Sequence, residues 1–286
     1  MTIKKLVIIG VGLIGGSLAR ALKSAGAGYE IIGSGRDAAQ LNKAVELGVI
    51  DRYELDMSVA VQGADMVVLA VPVGATEAVL RKIKSALEAH TVITDVGSVK
   101  QYVIEAAHAV FGAVPANFVP GHPIAGTEQS GVEASVAELF QHRRVVLTPL
   151  QHTHAAALQQ VRAMWEQAGA EVLEMDAARH DEVLAATSHL PHLLAYTLVD
   201  TLAGIEGYAD FRHFTASGFR DVTRIASSDP AMWRDICLAN RDALLSVLER
   251  FGLELDQLRS AIAAGDSAGI LEMFARAKRE RDQFNG

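Results

Sequence analysis

The residue in this sequence best suited to proton chemistry is a histidine in a segment bounded by glycine and proline. His122 lies in Gly121–Glu128, which reads GHPIAGTE and ends on the carboxylate of Glu128. An imidazole titrates near neutral pH, so it exchanges a proton without needing a large pKa shift. The pattern predicts a loop in which His122 takes part in proton transfer.

A glycine-rich turn near the start of the chain indicates that a cofactor accompanies this proton chemistry. The apolar run Leu6–Gly10 predicts a buried strand, and a helical pattern follows the turn. In that context GxGxxG allows a tight turn, close approach of the backbone to a pyrophosphate, and binding at a helix N-terminus. A packing turn that binds no ligand is the alternative. The predicted cofactor contacts are Gly10, Gly12, Leu13, Ile14 and Gly15.

The end of the second predicted strand bears on the choice between NAD and NADP. An NAD site usually carries an acidic residue there for the ribose hydroxyls, but the matching position is Gly35, between Ser34 and Arg36. A hydroxyl and a guanidinium suit a 2′-phosphate. The pattern favours NADP, bound by Ser34 and Arg36, and leaves NAD or dual use open. Asp37 is either a ribose ligand or the cap of the next helix.

Two further strand ends should lie at the edge of the sheet where substrate and nicotinamide meet. Val71 and Pro72 follow the third long strand and are predicted to contact the cofactor. Ser98 follows the next strand, and it either hydrogen-bonds the reacting group or caps the following helix. Lys100 is interpreted as a solvated charge.

Two histidines lie three residues apart in a later helical segment. His189 and His192, in TSHLPH, share one helix face, and Pro191 removes a backbone hydrogen bond and predicts a kink. The pair beside a kink favours a functional site over two structural histidines. A metal site that adds His122 and Glu128 is the weaker alternative, because no closed ligand set is evident. We expect no metal.

An arginine-containing segment follows the histidine pair. Arg220 and Arg224 are four residues apart and should share a helix face. Either guanidinium could clamp a carboxylate, although an ion pair with Asp221 explains Arg220 more simply. Trp233 fits a core position, with the wall of a ring-shaped pocket as the alternative.

Composition and charge restrict the class of protein. The chain has 286 residues, 50% of them hydrophobic, and a formal net charge of −8, which argues against an electrostatic nucleic-acid binder. Cys237 is the single cysteine, so no intrachain disulfide forms and a reducing cytoplasm fits best. Glycines interrupt the apolar run after Lys4 and Lys5, which argues against a signal peptide. No apolar run approaches the ~20 residues needed to cross a membrane.

The order of strand and helix patterns predicts an α/β fold with two domains. Residues 1–176 predict a doubly wound Rossmann-type parallel sheet, because continuous apolar strands alternate with helices. The helical periodicity of residues 177–286 predicts an all-helical domain for substrate binding and dimerisation. The strands are predicted at Leu6–Gly10, Tyr29–Gly33, Met66–Val71, Thr91–Val96, Asn117–Gly121, Arg144–Thr148 and Glu171–Met175. The helices of the second domain are predicted at Ala177–Leu202, Pro230–Phe251, Glu254–Ala264 and Ser267–Gln283. Apolar positions on the last helices predict a homodimer.

Five motifs together resemble the prephenate/arogenate dehydrogenase family of tyrosine biosynthesis. In chain order they read VGLIGGSLA, DVGSVK, GHPIAGTE, TSHLPH and GFRDVTRIASSDPAMWRDI, from about residue 6 to residue 235. The resemblance implies oxidative decarboxylation of prephenate, arogenate or both, with hydride transfer to NAD(P)+. Prephenate would yield 4-hydroxyphenylpyruvate, and arogenate would yield tyrosine.

The same resemblance implies roles for individual residues. His122 would accept the proton of the ring hydroxyl, and Ser98 would hydrogen-bond that hydroxyl and orient the histidine. Arg224 would bind a substrate carboxylate. The remaining residues assigned to the substrate site are His192 and His189, which hold the substrate, Asp221, which orients local arginines, and Glu128, at the pocket entrance.

Several questions stay open at this point. Arogenate carries an ammonium that needs an anionic partner. Gln129 is neutral, which favours prephenate, while the carboxylate of Glu128 leaves arogenate open as a substrate. The alternatives to the family's reaction are another NAD(P)-dependent hydroxyacid dehydrogenase and a non-catalytic NADP(H)-binding redox sensor. Because no regulatory domain follows the helices, we expect any inhibition by tyrosine to act at the active site.

Overall fold

The described part of the chain is mainly a nucleotide-binding sheet flanked by helices. This computed structural model describes residues 3–207 and 214–284. Two compact units are distinguished, Met1–Arg241 and Asp242–Gly286. The strands are β1 Lys5–Ile9, β2 Glu30–Ser34, β3 Arg52–Glu54, β4 Met66–Leu69, β5 Val92–Asp95, β6 Phe118–Val119, β7 Gly121–Pro123, β8 Arg144–Leu147 and β9 Glu171–Glu174.

The helices of the described residues lie between these strands and after the last one. The helices that alternate with strands are α1 Leu13–Ser24, α2 Ala38–Glu46, α3 Met57–Ala60, α4 Thr76–Ile83, α5 Lys100–Phe111 and α6 Ala155–Gln167. The helices after β9 are α7 Ala177–Leu184, α8 Leu190–Ala203, α9 Ser217–Thr223, α10 Pro230–Ala239, α11 Arg241–Ala264 and α12 Ser267–Gln283. No helix within residues 3–207 and 214–284 combines the length and the apolar character needed to span a bilayer.

The main sheet has six parallel strands in the order β3-β2-β1-β4-β5-β6. Alternate residues of a strand face opposite sides. Leu6 and Ile8 of β1 therefore pack into one apolar cluster, and Val7 and Ile9 pack into the other. Both faces are covered, which confirms the predicted doubly wound sheet. The strand order reverses between β1 and β4, so a crevice is expected at their carboxyl ends.

The predicted strands do not all join this sheet. A second sheet has the order β7-β8-β9, in which β7 and β8 are antiparallel and β8 and β9 are parallel. The single strand predicted at 117–121 is two short strands, β6 and β7, in different sheets. Pro120 separates them and has no N–H group to continue a ladder. The edge strand β3 was not predicted.

The long helix predicted at 177–202 is interrupted. Residues 185–189 form a π-helical turn between α7 and α8. Pro191 lacks the N–H group that would bond the carbonyl of Thr187, and the Leu190 N–H bonds the carbonyl of Ala185 five residues back. The predicted distortion at Pro191 therefore takes the form of a π-turn.

Two other helix predictions differ from the structure. The helix predicted at 230–251 is broken at Asn240, where φ is −107° and ψ is 33°. Helix α11 then continues to Ala264, so the separate helix predicted at 254–264 is its second half. Helix α12 has the predicted bounds.

A buried ion pair joins the end of the main sheet to the strand that carries His122. The Lys100 Nζ donates to Asp95 Oδ2 at 2.5 Å and to the Gly121 carbonyl at 2.6 Å, and the lysine side chain is 0% exposed. Asp95 also accepts the N–H groups of Gly97 at 2.7 Å and Gly121 at 3.1 Å. The interpretation of Lys100 as a solvated charge was wrong. Its ammonium is enclosed because the Asp95 carboxylate and a backbone carbonyl replace water.

Replacing Lys100 with methionine should destabilise the fold strongly. The change leaves Asp95 buried without its cation, and breaking a buried pair costs about 3–5 kcal/mol. The measurement is the free energy of unfolding in urea. Lys43→Met is the matched control, because Lys43 and Glu46 form an exposed pair worth at most about 1 kcal/mol. Equal losses in the two variants would contradict a structural role for the buried pair.

Candidate active site

The glycine-rich turn lies where the carboxyl ends of β1, β2 and β4 meet. Gly10 has φ +100°, and its N–H donates to the Ser34 carbonyl at 2.8 Å. A Cβ at Gly10 would lie 2.2 Å from the Ala70 carbonyl oxygen, and one at Gly15 would lie 2.2 Å from the Gly10 carbonyl oxygen. Side chains are excluded at both positions because strands and helix approach each other too closely.

The space in front of Gly12 fits a dinucleotide phosphate. Gly12 is the N-cap of α1, and a Cβ built on it would meet no atom within 4 Å. No side chain caps this helix and no acidic residue lies in its first turn, which begins with Leu13 and Ile14. An uncapped helix N-terminus offers N–H groups and partial positive charge to an anion. The turn therefore suits a pyrophosphate.

The residues at the end of β2 and just after it differ in exposure. Ser34 is fully buried, and its hydroxyl has no hydrogen-bond partner among the described residues. Arg36 is exposed, and no described carboxylate pairs with it. Asp37 accepts the N–H groups of Ala39 and Gln40, so it is the cap of α2. Arg36 is the group here that is free to meet a phosphate.

The other two strand ends lie beside the turn. Val71 follows β4, and its Cγ1 is 3.3 Å from the position of a Cβ on Gly10, while Pro72 is exposed next to it. Ser98 is half-buried in the loop between β5 and α5. Helix α5 has Val99 as its N-cap, so Ser98 does not cap it. The Asp95 carboxylate holds both this loop and Gly121, as described above.

His122 lies on strand β7, opposite Val146 of β8, rather than in a loop. Its Nδ1 is 2.9 Å from Nε2 of His180, with the two rings at 70° to each other. Burial holds the pKa of His122 well below its ordinary value, and the charges of His180, Lys100 and His189 lower it further. His122 is therefore neutral at neutral pH and has a lone pair available for a proton.

Behind His122, a second histidine and a carboxylate extend the hydrogen-bonded chain. His180 Nδ1 is 2.8 Å from Asp181 Oδ1, and both side chains are almost fully buried. Asp181 also accepts the N–H groups of Lys100 at 2.8 Å and Gln101 at 2.9 Å. The Asp181 carboxylate thus caps the N-terminus of α5 from a distant part of the chain.

The predicted pair His189 and His192 lies against Trp233. His189 meets the indole edge-on with ring centroids 6.0 Å apart, and His192 stacks on it at 3.7 Å. Burial is the main cause that lowers the pKa of His189 to about 4. Burial also lowers the pKa of His192, although the Ser188 carbonyl opposes this by accepting the Nδ1–H at 2.9 Å. Trp233 is both a buried residue and the wall between these histidines.

Asn240 fixes the orientation of His189. Its Nδ2 donates to the Asp181 carbonyl at 2.9 Å and lies 3.1 Å from His189 Nδ1. Since a carbonyl can only accept, the amide nitrogen is the atom facing both partners. His189 therefore accepts at Nδ1 and carries its proton on Nε2, which is buried and has no partner among the described residues.

Arg224 and Glu128 form an exposed ion pair with an N–O distance of 2.9 Å. The charge of Arg224 lowers the pKa of His192, so the guanidinium lies near the histidine pair. Arg224 starts a 3-10 turn after α9 has ended, so it does not continue the α-helix of Arg220 as predicted. Arg220 donates to the Thr215 carbonyl. Asp221 is exposed, with no ion pair to another described residue.

Residue patterns alone did not identify His180, Asp181 or Asn240. The dipeptide His180–Asp181 lies nine residues before His189–Leu190 on the same helical run, and that spacing was the available signal. Asp95 at the end of a buried strand was a second signal, because a buried carboxylate requires a partner. Among the described residues, no group of three or more His, Cys, Asp or Glu side chains is arranged to hold a metal ion.

Taken together, these residues can perform proton transfer beside a dinucleotide. A neutral imidazole can accept a proton, an exposed guanidinium can bind a carboxylate, and the aromatic wall can support a ring. This combination is typical of a dehydrogenase whose substrate carries a hydroxyl and a carboxylate.

Comparison with known proteins agrees with this chemistry. Residues 18–174 match the prephenate dehydrogenase nucleotide-binding domain, and residues 176–276 match the prephenate dehydrogenase dimerization domain. The chain belongs to the prephenate dehydrogenase family. The resemblance found in the sequence motifs is therefore confirmed.

Relatives at the level of the whole chain support the assignment. The cyclohexadienyl dehydrogenase of Zymomonas mobilis is 41% identical over 281 residues, which is 97% of this chain and 95% of the relative. The prephenate dehydrogenase of Bacillus subtilis is 39% identical over 279 residues, 97% of this chain and 75% of the relative. A crystal structure of prephenate dehydrogenase from Aquifex aeolicus, in complex with hydroxyphenyl propionate and NAD+, is 35% identical with a TM-score of 0.92, covering 99% of each chain.

Proposed function

We propose that this chain oxidatively decarboxylates prephenate to 4-hydroxyphenylpyruvate and carbon dioxide, reducing NAD(P)+, as a step of tyrosine biosynthesis. Membership of the family makes the chain a dehydrogenase of this class. The observation that carries the proposal is the neutral imidazole of His122, which contacts His180 and lies near His189, while Arg224 lies near His192. The small-molecule substrate is the partner that such a site requires. With one cysteine in the sequence, we place the reaction in the reducing cytoplasm.

His122 acts as the general base in this proposal. It accepts the proton of the ring hydroxyl, and Ser98 hydrogen-bonds the same hydroxyl and orients it. A nicotinamide dinucleotide held at the glycine-rich turn would supply the hydride acceptor for the carbon that carries this hydroxyl. Loss of the ring carboxylate as carbon dioxide then leaves its electron pair in the ring, which becomes aromatic. The protein therefore needs to supply one base and a fixed orientation.

The substrate carboxylates meet the cationic side of the site. Arg224 binds one of them with a charge-assisted hydrogen bond, while His192 and His189 hold the substrate beside Trp233. Arg224 is paired with Glu128 at the pocket entrance. The substrate carboxylate therefore replaces Glu128 as the partner of the guanidinium. Asp221 contributes negative charge next to the arginines. Gln129, next to this pair, is neutral and offers no anionic partner for the ammonium of arogenate, which favours prephenate.

Replacing His122 with asparagine should abolish most turnover and leave cofactor binding intact. Loss of a positioned base lowers the rate by ~10²–10⁴-fold. In the wild-type enzyme, the acid limb of kcat/KM should lie below the ordinary histidine pKa of about 6.5, because burial lowers the pKa of His122. The measurement is initial rates with prephenate and with arogenate, each with NAD and NADP, against pH. Unchanged turnover in the variant would remove His122 from the mechanism, and no activity on either substrate would remove the proposed reaction.

The finer proposal for the cofactor is a preference for NADP over NAD. Arg36 is exposed and unpaired among the described residues, and Gly35 presents no carboxylate to repel a 2′-phosphate. The buried hydroxyl of Ser34 contributes less than the sequence suggested, because it does not face solvent. The A. aeolicus relative was crystallised with NAD+, and the proposed preference for NADP rests on Arg36 and Gly35 of this chain.

Introducing aspartate at Gly35 should shift the preference towards NAD. The position is open, since a Cβ there meets no atom closer than 3.9 Å and its φ is outside the left-handed region. The new carboxylate can bind ribose hydroxyls and repel a 2′-phosphate, so the ratio of kcat/KM for NADP to that for NAD should fall about tenfold or more. Gly35→Ala, which adds no charge, is the matched control. A ratio that falls equally in both variants would refute the electrostatic explanation.

We also propose that the chain forms a homodimer through its C-terminal helices. The match to the dimerization domain supports this. Helices α11 and α12 expose large apolar side chains, which monomers rarely leave uncovered in such number. These exposed residues are Leu245, Leu253, Leu255, Ile262, Leu271 and Phe274.

Introducing charged side chains on this apolar surface should dissociate the dimer. Leu271 is 69% exposed and Phe274 is 55% exposed, so a double change to glutamate costs little in the isolated chain but buries two charges in an interface. Sedimentation at micromolar protein should give a dimer for the wild type and a monomer for the double variant. Val59→Glu, at an exposed apolar residue of α3, should remain dimeric. A monomeric wild type would exclude the proposed assembly.

A further inference from the structure

The chain of hydrogen bonds behind His122 has a direction. It runs from the first turn of α5 to Asp181, then to His180, and then to Nδ1 of His122. Each of the two imidazoles has two nitrogens, and in the neutral ring one donates while the other accepts. Which nitrogen of His122 is free to accept a proton therefore depends on the residues behind it.

The direction is set at Asp181. Its carboxylate accepts the N–H groups of Lys100 and Gln101 at the N-terminus of α5, where the partial positive charge of the helix end faces it. A charged carboxylate can only accept. The proton in the contact with His180 is consequently on His180 Nδ1.

The next contact follows from the first. His180 is fully buried, and its two ring nitrogens face one partner each, Asp181 at Nδ1 and His122 at Nε2. With its proton on Nδ1, neutral His180 presents a lone pair at Nε2. His122 must then donate its Nδ1–H across the 2.9 Å contact, which leaves Nε2 of His122 without a proton.

We propose that His180 and Asp181 are positioning residues that hold His122 in the tautomer whose Nε2 is the base. The inference rests on the role of His122 in the proposed function and adds the two residues that select the reactive nitrogen. When Nε2 accepts a proton, the Nδ1–H stays bonded to His180, and Asp181 stabilises the resulting positive charge through it, as the carboxylate of a catalytic triad does. The other charged or titratable groups that act on His122 are Lys100, with its partner Asp95, and His189.

The same carboxylate also orders the Ser98 side of the site. Asp181 holds the first turn of α5, which directly follows the Ser98 loop, while the Asp95–Lys100 pair holds that loop and Gly121. The tautomer of His122 and the position of Ser98 are therefore set by connected contacts. A change at His180 breaks only the histidine branch, which makes it the cleaner site for a test than Asp181.

The test compares His180→Leu with His180→Gln. Leucine removes the acceptor, so His122 should populate the tautomer protonated on Nε2, and kcat should fall about 100-fold or more. The glutamine Oε1 can still accept from Nδ1–H, so this variant should keep kcat within about tenfold of the wild type. KM and the dissociation constant of NADPH should change little in both. His108→Leu, at an exposed histidine of α5, is the control and should keep full activity.

Nitrogen-15 NMR of histidine-labelled wild-type protein measures the tautomer without any substrate. The His122 signals, assigned by their loss in His122→Asn, should show Nδ1 protonated and Nε2 unprotonated at neutral pH. Protonation on Nε2 in the wild type, or equal kcat in the two His180 variants, would overturn the inference. If His180→Leu does not fold, the wild-type spectrum and His180→Gln still decide. An enzyme inactive on prephenate and arogenate would defeat the proposed reaction while leaving the NMR result to stand or fall by itself.

Discussion

The buried ion pair of Asp95 and Lys100 is the contact on which the arrangement of the site depends. Two opposite charges removed from water are stable only when each finds good partners, and here the partners are backbone groups of the site itself. Asp95 holds the N–H groups of Gly97 and Gly121, and Lys100 holds the carbonyl of Gly121. The nucleotide-binding sheet, the Ser98 loop and the strand carrying His122 are thereby joined at one point.

The two ion pairs of the site differ in burial, and this difference explains their roles. The Asp95–Lys100 pair is enclosed, so breaking it would leave an uncompensated charge. Arg224 and Glu128 are 60% and 35% exposed, and an exposed pair contributes at most about 1 kcal/mol. Arg224 can therefore exchange Glu128 for a substrate carboxylate at small cost. In the proposed function, the enclosed pair positions the base and the exchangeable pair faces the substrate.

The local environment of His122 suits the role of base that we propose for it. Burial and the neighbouring His180, Lys100 and His189 lower the pKa of His122, so the ring is neutral when substrate arrives. The contact with His180 also engages Nδ1 of His122. The same cluster of residues therefore keeps the ring neutral and holds its orientation.

The accuracy of the sequence predictions depended on the range of the interactions involved. Strands β1, β2, β4 and β5 of the main sheet and helix α12 were found within a residue or two, because apolar periodicity and caps are local signals. The glycine turn was found because backbone geometry demands glycine there. The helix at 177–202 was predicted as continuous. The π-turn before Pro191 depends on which N–H groups the freed carbonyls bind, and apolar periodicity does not show this. The edge strand β3 has little apolar signal.

Sequence alone determined the nucleotide fold, the glycine turn, the family resemblance and the identity of His122 as the candidate base, because each is recorded in residue types at short spacing. Tertiary structure decided that Lys100 is buried, that Asp181 caps α5, and that His180 stands behind His122. The contact of His180 with His122 joins residues 58 positions apart in the chain, and the contact of Asp181 with α5 joins residues 81 positions apart. Their energies depend on burial and on the direction of each hydrogen bond, which only the folded chain defines.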